Sequence, residues 1–308
     1  MKKICLYLAM LALSVLMVNC SEEKLDPNSV IREPIRVETP LDQWLNTNYV
    51  GAYNIDVQYR FADIQSQMNY NLIPADYQKS VQLAKVIHFL CLAPYDSVTG
   101  SRDFARLAFP KFLVFVGSGA HNNNGTVILG TAEDGIRVVM YQVNSWNTDV
   151  PPNPANFYPM SNAWNSVRYF HTLHHELGHI LHQLKPYSQT FRAISATDYV
   201  QDDWSTVYAN NPDGLRSARQ AGFITQYSSK NDNEDFVELF SIYITSTQAF
   251  WNEALAQAGE EGGNKIQSKF SIMYDYMLNE WDIDLNELRR VIDVSQKQLE
   301  TMDLNNLD

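Results

Sequence analysis

Cysteine is scarce in this chain: Cys5, Cys20 and Cys91 are the three in 308 residues, too few for a disulfide framework. Positive charge is scarce as well. Lys and Arg number 23 against 35 Asp and Glu, a net charge of −12, and such a balance argues against nucleic acid and anionic lipid surfaces as partners. Beyond residue 18 no apolar run approaches the roughly 20 residues a membrane-spanning helix needs. Internal repeats and low-complexity tracts are missing too. The length left after the first segment suits one large domain or two closely packed lobes.

That first segment is the one apolar stretch. Lys2-Lys3 precedes an apolar run from Ile4 to Val18, short for a mature membrane helix, which ends at Leu16-Met17-Val18-Asn19-Cys20-Ser21. The pattern resembles a bacterial lipoprotein signal, which implies removal of residues 1–19 and a lipid on the Cys20 thiol; a plain secretory peptide with Cys20 left free is the alternative. Ser21-Glu22-Glu23-Lys24 resembles the acidic export tag of Bacteroidetes surface lipoproteins. The resemblance implies an outer-membrane lipoprotein exposed at the cell surface, touching the membrane through its lipid alone. Loss of Lys2 and Lys3 takes the charge to −14. Residues 20–40, with Pro27, Pro34 and Pro40, read as a tether, and residues 41–308 as the folded domain. Cys91, in the helical run Val81–Leu92, is then the remaining thiol and packs as a small hydrophobe.

The chemistry lies in His175-Glu176-Leu177-Gly178-His179. Val167, Phe170, Leu173, Leu177, Ile180, Leu181 and Leu184 recur at three-and-four spacing, and Lys185-Pro186 ends the pattern, so a helix spans about 166–183. Residues four apart on a helix share a face, which lets His175 and His179 grip one Zn²⁺ per chain. Glu176 then stands where it takes a proton from the attacking water. Gly178 costs about 1 kcal/mol against alanine inside a helix, which suggests close approach of a strand or of substrate. His171, one turn before His175, is placed to support it; His174 and His182 point elsewhere by helical geometry, with a place on a cleft rim left open for His182.

A catalytic zinc keeps three protein ligands and an open position. A third His six residues after His179 would be one solution, but Lys185 stands there. The other is a Glu from a later helix. Asn231-Asp232-Asn233-Glu234-Asp235-Phe236-Val237-Glu238 opens a helical stretch running to about Gly259, with a capping residue first and acids in its first turn. Glu234 is assigned as the third ligand and Glu238 as the carboxylate orienting His175 or His179; exchanged roles stay open.

Around these helices, the alternation in Tyr53–Phe61 predicts a strand, Ala75–Leu92 a helix, and Phe112–Val116, Thr126–Leu129 and Ile136–Val143 further strands. Gly117-Ser118-Gly119, Asn122–Gly125 and Asp134-Gly135 read as hairpin turns. Pro151–Pro159 reads as a loop, and Pro186–Asn233 as a mixed loop-and-helix stretch, long enough for a lid or binding loop, whose Tyr187, Phe191, Tyr199 and Trp204 line either a pocket or a satellite core. Two helices joined around Asp282-Ile283-Asp284 close the chain.

The H-E-x-x-H with Glu234-Asp235-Phe236-Val237-Glu238 downstream resembles the gluzincin metallopeptidases, and the glutamate pair resembles their lethal-factor-like branch. The resemblance implies an α+β, zincin-like fold: a small twisted mixed β-sheet and the active-site helix to about residue 184, then a mostly helical C-terminal lobe. It also implies a tyrosine seven residues before the ligand Glu, here Tyr227, polarising the scissile carbonyl or stabilising the oxyanion. Together with Tyr274–Arg289 and the leader, the motifs resemble zinc metallohydrolase lipoproteins of Bacteroidetes that accompany SusC/SusD-type import systems. A surface-anchored zinc metallopeptidase acting on a peptide or protein substrate follows. Two other functions stay open: a non-catalytic substrate-binding or assembly lipoprotein of an outer-membrane nutrient-import complex, and a zinc hydrolase for non-peptide amides or glycosylated proteins.

Overall fold

The computed structural model describes residues 37–60, 72–121, 127–128, 130–133, 136–145, 167–299 and 301–307. The leader, Cys20, the tether up to residue 36, the turns at Asn122–Gly125 and Asp134-Gly135 and the Pro151–Pro159 loop lie outside them. Residues Thr39–Asp308 cluster as one unit. None of the described helices is long and apolar enough to cross a membrane.

Helix α1 (Pro40–Leu45) starts at a capping box in which Thr39 and Asp42 satisfy each other's backbone N–H. Strand β1 (Asp56–Gln58) follows, and the alternation read there is real: Ile55, Val57 and Tyr59 are buried, Asn54 and Asp56 exposed. The strand begins later than expected because Asn54 adopts a left-handed conformation that ends a helical turn. Helix α2 (Tyr77–Ile87) runs through a π-helical turn containing buried Cys91 into α3 (Ala93–Thr99), and α4 (Asp103–Ala108) leads to β2 (Phe112–Phe115).

The mixed sheet has the order β1-β2-β6-β5, with β5 (Gly130–Glu133) and β6 (Arg137–Met140). Strands β1, β2 and β6 are parallel, and β5 is the antiparallel edge beside β6. Gly117–Gly119 therefore makes no hairpin of β2; the short β3 (Ala120–His121) and β4 (Val127–Ile128) pair separately. Strands β2 and β6 are near-continuous apolar runs because both their faces are covered. Leu113, Phe115, Val138 and Met140 enter the main core, while Val114, Val116 and Val139 form a second cluster with Ala120 and Tyr141.

Helix α5 (Val167–Leu184) carries the H-E-x-x-H. Its buried Phe170, Leu173, Leu177 and Leu181 join the main core, and the Tyr169 hydroxyl donates to the Tyr141 carbonyl at the end of the sheet, at 2.7 Å. The stretch from Pro186 to Asn233 mixes loop with short helices as expected, α6 (Gln189–Ile194) and α7 (Pro212–Ala221) being the longest. Tyr187 and Phe191 are buried in the main core, as the satellite-core reading has it.

Helix α8 (Asp232–Thr245) is capped by Asn231, whose side chain accepts from the Asn233 and Glu234 N–H groups at 3.0 Å each. It ends fourteen residues short of Gly259, the expected limit, because Thr247 caps a new helix, α9 (Gln248–Trp281), interrupted at Gly259. Every residue from Asp235 to Thr245 is buried. Even Asp235 lies inside, 2.6 Å from Lys269 of α9. Helix α10 (Leu285–Leu299) follows a left-handed Asp282.

Candidate metal centre

Helices α5 and α8 meet face to face at the motif. A Cβ on Gly178 would stand 2.9 Å from Val237 Cγ1 and 3.0 Å from Val237 Cβ, so the missing side chain lets the two helices touch. The close approach expected from a strand or substrate comes from a helix instead. Gly178 sits between His175 and His179, and Val237 between Glu234 and Glu238. The one contact thus brings the two i, i+4 pairs together.

His175 Nε2 lies 3.2 Å from Glu234 Oε2, and His179 Nε2 lies 3.3 Å from the same oxygen. The opposite nitrogen of His175, Nδ1, is 2.8 Å from Glu238 Oε1. Glu238 Oε1 also meets His171 Nε2 at 3.0 Å, and its Oε2 accepts from the Thr225 hydroxyl at 2.7 Å. Glu238 is therefore bonded to His175 and Thr225 and lies at ion-pair distance from His171, so His171 belongs to its surroundings. Two groupings within metal-binding reach result: His175, His179 and Glu234, and His171, His175 and Glu238. In the second, His175 Nδ1 and the Glu238 carboxylate are occupied by each other, which fits hydrogen-bonded support better than a second ion.

The first grouping fits a zinc ion. With Nδ1 donating to Glu238, His175 turns a bare lone pair toward Glu234. Glu234 Oε2 is buried without a hydrogen-bond partner, and a third lone pair arrives from His179. Three converging lone pairs on two nitrogens and an oxygen call for a cation, and the donor types suit zinc. Without metal, protons fill that role. Burial disfavours the charged His175 ring, but the Glu234 and Glu238 carboxylates beside it outweigh this and raise it to about 10. Burial likewise opposes the charged forms of Glu234 and Glu238, yet the imidazoles around them hold both well below the usual carboxylate range. Glu176 is pushed up, chiefly by burial, as suits a base working near neutral pH.

Tyr227 also reaches the centre. Its hydroxyl donates to Glu234 Oε1 at 3.1 Å, and its ring lies 5.9 Å from that of His175. Trp204 packs edge-on against Tyr227 with centroids 5.1 Å apart. Sequence reasoning missed Thr225 and Lys230; the Lys230 ammonium stands 3.6 Å from Glu234 Oε1 and donates to the Tyr227 hydroxyl at 3.4 Å. Nothing in their local pattern marked them, since their partners lie on the following helix. His174 does point away, into the core, where it meets the Tyr95 hydroxyl at 3.0 Å. His182 does not: its Nε2 lies 3.1 Å from His179 Nδ1, because i and i+3 share a face as i and i+4 do. Burial holds its ring down to about 4.

The crystal structure of a "putative zinc-binding metallo-peptidase" from Bacteroides caccae ATCC 43185 resembles this fold with a TM-score of 0.73. It is 33% identical and covers 91% of this chain and 100% of that one. No curated protein matches the chain. A family model described as "Putative zinc-binding metallo-peptidase" matches residues 35–286, and on that span, which holds the whole candidate centre, the chain belongs to this zinc-binding metallo-peptidase family.

Proposed function

We propose that the protein is a zinc-dependent peptidase tethered to the cell surface through a lipid on Cys20, holding one zinc ion per chain with His175, His179 and Glu234. The observation that carries this reading is the convergence of three lone pairs on one buried point, with Glu176 next to the first of them. When bound, zinc supplies a Lewis acid that polarises a carbonyl and acidifies water. Glu176 accepts the proton of the attacking water and passes it to the leaving amine. Glu238 holds the proton on His175 Nδ1, so that Nε2 stays free to ligate. Tyr227 turns its hydroxyl from Glu234 toward the oxygen on which charge develops.

Strand β5, the antiparallel edge among the described residues, supports a peptide as substrate, since an extended chain adds to a sheet edge through its backbone. The acidic tag after Cys20 supports surface exposure, and the likeness to import-associated lipoproteins supports a SusC/SusD-type complex as partner.

Metal analysis of the domain beginning at Ser21, with peptide-library cleavage alongside, tests the reading. About one zinc per chain is expected, lost in Glu234→Ala and largely kept in Glu238→Ala, with Glu176→Gln retaining zinc but cleaving nothing. A wild type that binds no zinc under replete conditions would move the non-catalytic import subunit ahead.

A further inference from the structure

The two ligand histidines of the proposed zinc site have unlike partners behind them. His175 Nδ1 faces the Glu238 carboxylate at 2.8 Å. His179 turns Nε2 toward Glu234 at 3.3 Å, and its Nδ1 faces another imidazole, that of His182, at 3.1 Å. A nitrogen pair at that distance is a hydrogen bond with one proton in it, and the question is which ring owns the proton.

The geometry points to His182 as the positioning residue for His179, the hydrogen-bond acceptor that keeps the proton on His179 Nδ1 and leaves Nε2 free for zinc. This rests on the zinc reading above. A ring that ligates through Nε2 must carry its proton on Nδ1, and a protonated Nδ1 needs an acceptor. His182 Nε2 stands there. Were the bond to run the other way, His179 would carry its proton on Nε2, pointed at Glu234, and the site would lose one of its three lone pairs.

His182 is itself held in place. Its ring packs edge-on against Tyr187 and Phe236, with centroids 5.7 Å and 6.5 Å away, and those two rings stack at 4.3 Å. The Tyr187 hydroxyl donates to Asp232 Oδ2 and Asn233 Oδ1 at the start of α8. The side chains that aim His182 are thus anchored on the helix that carries Glu234, so both sides of the ion are registered to α8.

The test compares wild type, His182→Gln and His182→Phe, with His179→Ala as control, by zinc competition against a chromophoric chelator and by thermal unfolding of the zinc-free proteins. A glutamine Oε1 reaches the place of the imidazole Nε2 and still accepts; phenylalanine fills the aromatic box but cannot accept. His182→Phe should bind zinc about 10–100-fold more weakly, the usual cost of losing a ligand's support. His182→Gln should stay within about threefold of wild type, with the zinc-free unfolding of the two variants alike. Wild-type zinc affinity in His182→Phe, or an equal loss in His182→Gln, overturns the inference while His179→Ala still abolishes binding. If His179→Ala binds zinc as tightly as wild type, the zinc-site reading itself falls, and this inference with it.

Discussion

Gly178→Ala should weaken the metal site far more than the fold. The added Cβ would stand 2.9 Å and 3.0 Å from two carbons of Val237, where carbon contacts sit at about 3.5–4.0 Å. Val237 is stiff at χ1 and completely buried, so α5 and α8 must separate by roughly 0.5–1 Å. The overpacking costs about 1–3 kcal/mol, and alanine returns about 1 kcal/mol of helix propensity. The net loss in zinc-free stability is then about 0–2 kcal/mol. Metal–ligand distances hold to about 0.2 Å, so the same displacement takes Glu234 out of register with His175 and His179. Zinc affinity should fall by about 100-fold or more, beyond the upper end of what disturbed support residues cost. Denaturant unfolding in chelator gives the first quantity and chelator competition the second; trimming Val237 to Ala in the same chain should restore part of the affinity. A Gly178→Ala protein with wild-type zinc affinity would refute the idea that this helix contact sets the site.

Tyr227→Phe should lower turnover by about 10²–10³-fold while changing zinc affinity less than turnover; unchanged cleavage would remove the hydroxyl from the chemistry. Lys269→Met leaves Asp235 buried without its partner and should cost about 3–5 kcal/mol in denaturant unfolding, with most of it recovered when Asp235→Leu is added; equal losses in single and double variants would contradict this. Zinc-free protein should be most stable around the ordinary imidazole range, since buried His174 and His182, both held low, cost stability as pH falls below their unfolded value near 6.5. His175, raised to about 10, contributes stability that is full below its unfolded value near 6.5 and is lost as pH rises toward 10. Glu238, held low, contributes stability present above its unfolded value near 4.5 and lost on acidification. Thermal unfolding in chelator from pH 3 to 10 reads both slopes, and a flat profile above pH 7 would contradict the first.

The active-site helix was legible because its apolar spacing is strong and Lys185-Pro186 ends it: the expected span of about 166–183 became Val167–Leu184. Glu234 and Glu238 were legible because a capping residue and an i, i+4 spacing are local signals. The break after Thr245 was not, since Phe240–Thr245 is apolar throughout and the stop comes from Thr247 capping the next helix. Strand β5 was missed because Gly130-Thr131-Ala132-Glu133 has little strand character of its own; its pairing with β6 makes it a strand. His182, expected to point away or toward a cleft rim, meets His179 because i and i+3 share a face. Thr225 and Lys230 act across a turn, and no periodicity within one element reports such contacts.

The stretch from Thr225 to Lys230 reaches both glutamates of α8 at once: Thr225 holds Glu238, while Tyr227 and Lys230 hold Glu234. These grips come from the chain just upstream of Asn231, and Asn231 fixes where α8 begins. The spacer between grip and helix therefore has no slack. A single inserted or deleted residue between Thr225 and Asn231 would shift every grip relative to the glutamates it serves. Loop grafts from relatives should fail when their junction falls after Thr225.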